Sequence, residues 1–263
     1  MLLTLATGSL RSMIGDEEGQ MSLLDVPEFA VRQLELRGMN IPASMLAGWS
    51  LEELDALRDR ADKVACPCLV LFEDSPLPFG HEHLAERDKA ADRTRRLAVA
   101  ANRLGCNALA LRVAADDTPE SFDLAAQAIK EVMPTIERHE LNVLLCAHDG
   151  LTADPERLTD LIKRVGGFRI GSLPSFADAA KTGDTIDALR KLAPYAGAIH
   201  ATVMSFRKNG AHMGYDLAEC VDAIRSVGFL NTLAIDYIGE DDPITAIERA
   251  RTSLQGAIDA DES

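Results

Sequence analysis

The chain has 263 residues, 47% hydrophobic and 26% charged, an ordinary globular composition that excludes a disordered chain, a collagen and a disulfide scaffold. Its 27 basic residues face 42 acidic ones, and the formal net charge of −15 excludes nucleic acid and anionic membrane surfaces as partners. No apolar run reaches the ~18 residues of a membrane span, and residues 1–7 are too short for a signal segment. Five cysteines without a C-x-x-C motif point to reduced, buried thiols in a cytoplasmic protein.

Residues 2–6 are a first, weak strand candidate, and the acidic, turn-rich stretch 15–19 reads as the loop after it. Residues 38–41 are a second weak strand. Ser50-Leu-Glu-Glu53 is a capping box ahead of Leu54, Leu57 and Ala61, which recur at helical spacing. A clear strand follows at 68–73, then a helix over 84–104 with Leu97, Ala101 and Leu104 on one face and a solvated face carrying Arg93, Arg95, Arg96 and Arg103. Strands at 108–113 and 142–148 flank a helical pattern over 120–139. Thr118-Pro119 starts that helix, and Pro134 is expected to kink or divide it. Asp154-Pro155 opens the next helix, and Gly166-Gly167 ends it. Strands at 168–172, 198–204 and 232–238 alternate with helices capped by Asp184 and Asp216. Ile247, Ala250, Leu254, Ala257 and Ile258 mark the last helix, before a frayed acidic tail at 259–263.

Eight strands alternating with eight helices fit an α/β fold of one kind, a single (β/α)8 barrel over residues 1–263. An open, doubly wound sheet is the runner-up. No G-x-G-x-x-G follows an early strand, which speaks against that sheet and against a nucleotide cofactor.

Barrel chemistry sits at the C-terminal ends of the strands. The polar residues there are Glu73 and Asp74, Arg112, His148 and Asp149, Ser172 and Ser175, His200, and Asp236 with Glu240. His200 and Asp236 each interrupt an apolar strand, and burying either unpaired is costly. Strands seven and eight are adjacent in such a barrel, so the pair reads as metal ligands, as an acid–base couple, or as a structural hydrogen bond. Cys146 and His148 share one strand face. Glu73-Asp74 is a carboxylate pair or a solvated turn. Arg112 and Arg169, within strands, need acceptors, for which structural pairing is the simpler reading. Arg207-Lys208 is the basic pair near the mouth, and His81-Glu82-His83 and His212 are weak metal signals that read as surface.

Several segments in order resemble the xylose isomerase-like barrels, a superfamily of sugar and sugar-phosphate isomerases and epimerases. Ala147-His-Asp-Gly-Leu-Thr-Ala-Asp-Pro155 is similar to the segment after strand five, and Gly171-Ser-Leu-Pro-Ser-Phe176 to the segment of strand six. Leu192-Ala-Pro-Tyr-Ala-Gly-Ala-Ile-His200 resembles the approach to strand seven with its metal-binding His. Gly228-Phe-Leu-Asn-Thr-Leu-Ala-Ile-Asp-Tyr-Ile-Gly-Glu-Asp-Asp-Pro243 resembles the segment in which a Glu is the last ligand and base. The resemblance implies a divalent ion held by Glu, Asp, His and Glu, with the glutamates moving a proton beside a sugar carbonyl.

Matched position by position, Cys146 stands at the first Glu, Ser175 at the Asp, His200 at the His and Asp236 at the last Glu. A thiol and a hydroxyl replace two anionic ligands, which a hard Mg2+ or Mn2+ site requires; Cys146, His200 and Asp236 suit a softer Zn2+ better. Asp178, three residues past Ser175, is a substitute carboxylate. Three readings follow. The first is a divergent sugar or sugar-phosphate isomerase or epimerase with a degraded metal site and with Asp236, His200, His148 and Glu73 around the substrate. The second is a non-catalytic barrel that binds a carbohydrate-like ligand or a protein partner. The third is a hydrolase or lyase built on Cys146 and His148. A small-molecule sugar or sugar phosphate is the expected partner, and a homo-oligomer stays open.

Overall fold

Short apolar runs become eight parallel strands in the computed structural model, which describes residues 1–15, 20–207 and 210–260. They are β1 (Leu2–Ala6), β2 (Met39–Pro42), β3 (Cys68–Leu77), β4 (Ala108–Val113), β5 (Asn142–Cys146), β6 (Ile170–Ser172), β7 (Ala198–Val203) and β8 (Thr232–Tyr237). Hydrogen bonding runs in the order β6-β5-β4-β3-β2-β1-β8-β7. The ring is drawn together between β6 and β7 by bridges Ser172 to Ala196 and Ser175 to His200. There the Gly197 amide donates to Ser172 O at 3.1 Å and the His200 amide to Pro174 O at 2.9 Å. Glycines make this seam possible: a Cβ on Gly171 would lie 2.4 Å from Tyr195 O, and one on Gly197 2.6 Å from Leu144 Cδ2. The architecture is the expected (β/α)8 barrel.

The helices between strands are α1 (Val26–Arg32), α2 (Leu51–Lys63), α3 (Leu84–Arg103), α4 (Pro119–Arg138), α5 (Pro155–Val165), α6 (Phe176–Lys181), α7 (Thr185–Leu192), α8 (Leu217–Ser226) and α9 (Pro243–Asp259). Both α6 and α7 lie in the crossover from β6 to β7, where one helix was expected. The caps are those expected: Ser50 and Glu53 form the capping box of α2, and Thr118, Asp154, Asp184 and Asp216 accept from first-turn amides. Pro134 does not divide its helix, because α4 is one element from Pro119 to Arg138. Ile129, Val132, Met133 and Ile136 bury their side chains on both sides of the proline, and that packing offsets the lost backbone bond.

Strand alternation separates two apolar layers. Ile199, Ala201 and Val203 of β7, with Leu233 and Ile235 of β8, pack outward in the main core. Val70, Ala108, Ala110, Leu144, Cys146, Leu173 and Ala198 form a separate cluster in the barrel interior. Above that cluster the interior becomes polar. Among the described residues no helix is long and apolar enough to cross a membrane. All five cysteines are free and buried. Within the expected first loop and tail, residues 16–19 and 261–263 lie outside the described residues, as does Lys208.

Candidate functional site

The interior faces of β7 and β8 bring His200 and Thr202 beside Asp236, since the register sets Thr202 opposite Asp236 and His200 opposite Ala234. His200 Nδ1 lies 3.6 Å from Asp236 Oδ2, and Thr202 Oγ1 donates to the same oxygen at 3.4 Å. On the other side of the ring, Asn40 of β2 sets its Nδ2 at 3.1 Å from His200 Nε2. Asn40 and His200 Nε2 thus form one donor–acceptor pair, and Nδ1, the other ring nitrogen, faces Asp236. The imidazole is buried and meets the Phe72 ring edge-on at 5.8 Å. The Asp236 side chain keeps 24% of its surface exposed.

These groups line a cavity of about 550 Å³ at the mouth of the barrel. Arg112 at the end of β4 enters it with its guanidinium over Phe72, 5.2 Å from the ring centroid, and donates to Ala147 O at 3.2 Å. Ser175, the cap of α6, donates to Asp178 at 2.8 Å, and Lys181 one turn on pairs with the same carboxylate at 2.6 Å. The remaining wall comes from the segment after β7. There Tyr215 donates its hydroxyl to Thr202 O, and burial pushes its phenol up from the ordinary value. His212 ties this segment together: Nε2 accepts from the Met204 amide at 3.0 Å, while Nδ1 donates to Tyr215 O at 3.1 Å.

The expected residues divide. His200 and Asp236 meet in the cavity. Glu73 does not: it lies on the outward face of β3, outside the cavity lining, and forms an ion pair with Arg93 of α3 at 2.6 Å. Asp74 is held at the rim by Ser44 and Arg11. His148 is half-buried outside the cavity lining, with its backbone amide bonded to Thr152 Oγ1 at 3.0 Å. Cys146 packs in the interior cluster, where burial pushes its thiol up to about 12, and the nearby Arg112 only partly opposes this. A thiol that stays protonated is a poor nucleophile, and no hydrogen bond joins it to His148 among the described residues. Arg169 donates to Glu140 O and Leu141 O, a structural role. His81 and His83 sit on an exposed turn.

The four positions matched to metal ligands do not fit a divalent ion. Cys146 is packed among apolar side chains, Ser175 donates to Asp178, His200 is paired with Asn40, and Asp236 accepts from Thr202. Among the described residues no group of three or more His, Cys, Asp or Glu converges on a common point. Sequence reasoning did not single out Asn40, Lys181 or Tyr215. Asn40 carried the same signal as His200, a polar residue inside a buried strand, whereas Lys181 and Tyr215 reach the cavity from segments whose path no local pattern reveals.

The fold is shared with solved structures of low sequence identity. An L-ribulose 3-epimerase superimposes with a TM-score of 0.79 at 14% identity, covering 100% of this chain and 97% of the other. A probable 3-DHS dehydratase involved in petrobactin synthesis from Bacillus anthracis gives 0.71 at 16%, covering 97% and 99%. The IOLI protein, solved with a binding zinc atom, gives 0.74 at 12%, covering 99% and 97%. No curated protein matches the sequence significantly. The model of one family matches residues 29–257, nearly the whole ring of strands and helices described above, and the chain therefore belongs to the xylose isomerase-like TIM barrels.

Proposed function

We propose that the mouth cavity binds a sugar or sugar phosphate and that the His200–Asp236 pair moves a proton on the carbon beside its carbonyl, as in an isomerase or epimerase, without a divalent ion. The observation that carries this reading is the meeting of the two side chains on one wall of the cavity, with Asp236 partly open to it. His200 orients the carboxylate through Nδ1–H, and the other carboxylate oxygen is left to take the proton. The C–H electron pair then passes to the carbonyl oxygen, whose charge needs a donor in place, and the Lys181 ammonium lines the same cavity. Returning the proton from the same face to the neighbouring carbon gives isomerisation, and protonation of the opposite face by a water molecule gives epimerisation. Several solved neighbours are sugar epimerases by name, including a D-psicose 3-epimerase and a D-tagatose 3-epimerase-like protein, which supports a sugar as the ligand class.

A second reading, a barrel that binds a carbohydrate-like ligand or a protein partner without turnover, draws on the number of bonds that already engage His200 and Asp236. Proton NMR in D2O with EDTA, using ketoses and their phosphates, separates the two. The proposal expects loss of the signal next to the carbonyl, slowed about 10²–10⁴-fold in Asp236→Asn. Exchange that appears only with added Mn2+ contradicts the metal-free mechanism. A ligand-induced rise in melting temperature without exchange establishes the binding-only reading.

A further inference from the structure

We propose that Arg112 forms an anion-recognising subsite in the mouth cavity, so that the ligand is a hydroxylated acid or a phosphate ester in preference to a neutral sugar. This rests on the reading of the cavity as a ligand site and narrows its ligand class.

The first observation is a cation without a carboxylate. The chain carries 42 acidic residues against 27 basic ones, and its arginines commonly find them, as Arg93 finds Glu73, Arg157 finds Asp117 and Arg164 finds Asp123. Among the described residues no carboxylate lies within ion-pair distance of Arg112, although the side chain is half-buried. The two carboxylates that share its cavity are engaged elsewhere, Asp178 with Lys181 and Ser175, Asp236 with His200 and Thr202.

The second observation is the posture of the guanidinium. Ala108, Ala110 and Arg112 follow one another on the interior face of β4, so the side chain projects into the barrel at the mouth end of the strand. Phe72 supports one face of the guanidinium, and Ala147 O takes one of its five N–H donors. A planar cation held on an aromatic ring and bonded at one corner has little freedom left to lose, and the remaining fork of donors matches a carboxylate or phosphate in two-point contact.

The third observation is the amide of Asn40 on β2, two strands from Arg112 in the ring. Asn40 is 1% exposed, lines the same cavity, and has a side-chain oxygen with no hydrogen-bond partner among the described residues. Rotating the amide by half a turn exchanges which end meets His200, and in either orientation one polar end remains to be paired. An unpaired buried polar atom is costly. A ligand hydroxyl, which both donates and accepts, satisfies either end, placing the hydroxylated part of the ligand by Asn40 and His200 and its anionic group by Arg112.

Isothermal titration with matched pairs tests this: gluconate against glucitol for the carboxylate, fructose 6-phosphate against fructose for the phosphate, with inorganic phosphate alone as a control for the bare ion. Wild type is expected to bind the anionic member of at least one pair about tenfold or more tightly than its neutral partner, and the pair that discriminates identifies the anion. In Arg112→Gln that ratio collapses towards one; in Arg112→Lys part of it returns, with the melting temperature of each ligand-free variant as the check on folding. Equal binding of neutral and anionic members by wild type overturns the subsite while the sugar reading stands. Discrimination that survives in Arg112→Gln, or that inorganic phosphate alone reproduces, removes it from Arg112 or from the ligand. Absence of binding by every member of both pairs overturns the subsite and the cavity reading together.

Discussion

Glu73 and Asp236 are both carboxylates in barrel strands, and the face each occupies decides what it can do. Asp236 opens on the cavity beside an imidazole, whereas Glu73, 3% exposed, faces α3 and holds Arg93. Removing the arginine strands a buried carboxylate whose other recorded partner is the Ser75 amide. Arg93→Ala is therefore expected to lose about 1–3 kcal/mol of stability in urea denaturation, and Arg93→Lys to recover part of it; an unchanged midpoint in Arg93→Ala would contradict the structural role. The sequence could not separate the two carboxylates. Residues 69–72 read Leu-Val-Leu-Phe, apolar on both faces, and nothing local states which face looks into the barrel. His200 and Asp236 stood out because a single ionisable group in a buried strand demands a partner, and that argument needs no knowledge of the face. Asn40 met the same condition, but a neutral amide is a weaker signal than a charge.

At the level of elements, capping chemistry was the most legible part of the chain. Side chains at Ser50, Thr118, Asp154, Asp184 and Asp216 bond the first turns they were expected to bond, because a cap is a contact within three residues. Pro134 and the extra helix α6 were not legible, since both depend on tertiary burial. The 204–215 segment is the same kind of case. His212 reads as a surface residue in sequence, yet it bonds Met204 and Tyr215 at once and helps to shape one wall of the cavity. Burial lowers its pKa below the ordinary 6.5, while the Tyr215 carbonyl partly opposes this. A depressed folded value means that the stabilisation is complete above the unfolded value and is lost as pH falls through the folded one. A charged ring cannot accept from the Met204 amide. In NMR titration the His212 ring is expected to change with a midpoint below 6.5, with the Met204 amide moving in step. A midpoint at or above 6.5 with a stationary Met204 amide would contradict the staple.

For the whole molecule, the alternation of apolar runs and capped helices was enough to indicate a barrel, because eight strands joined by successive crossovers leave few other ways to cover both faces of a parallel sheet. The charge of −15 is a different matter. Many of the described acidic residues lie in surface ion pairs or helix caps, and the mouth holds two carboxylates, one paired with Lys181 and one beside His200, next to Arg112, which has no carboxylate partner among the described residues. A site of that composition suits an organic ligand better than a hard cation. Elemental analysis of protein purified without chelator, paired with melting curves in Mn2+, Mg2+ and Zn2+, tests that claim most directly. The account predicts metal well below one ion per chain and no metal-induced rise in melting temperature; one ion per chain, lost in both His200→Ala and Asp236→Ala, would contradict it.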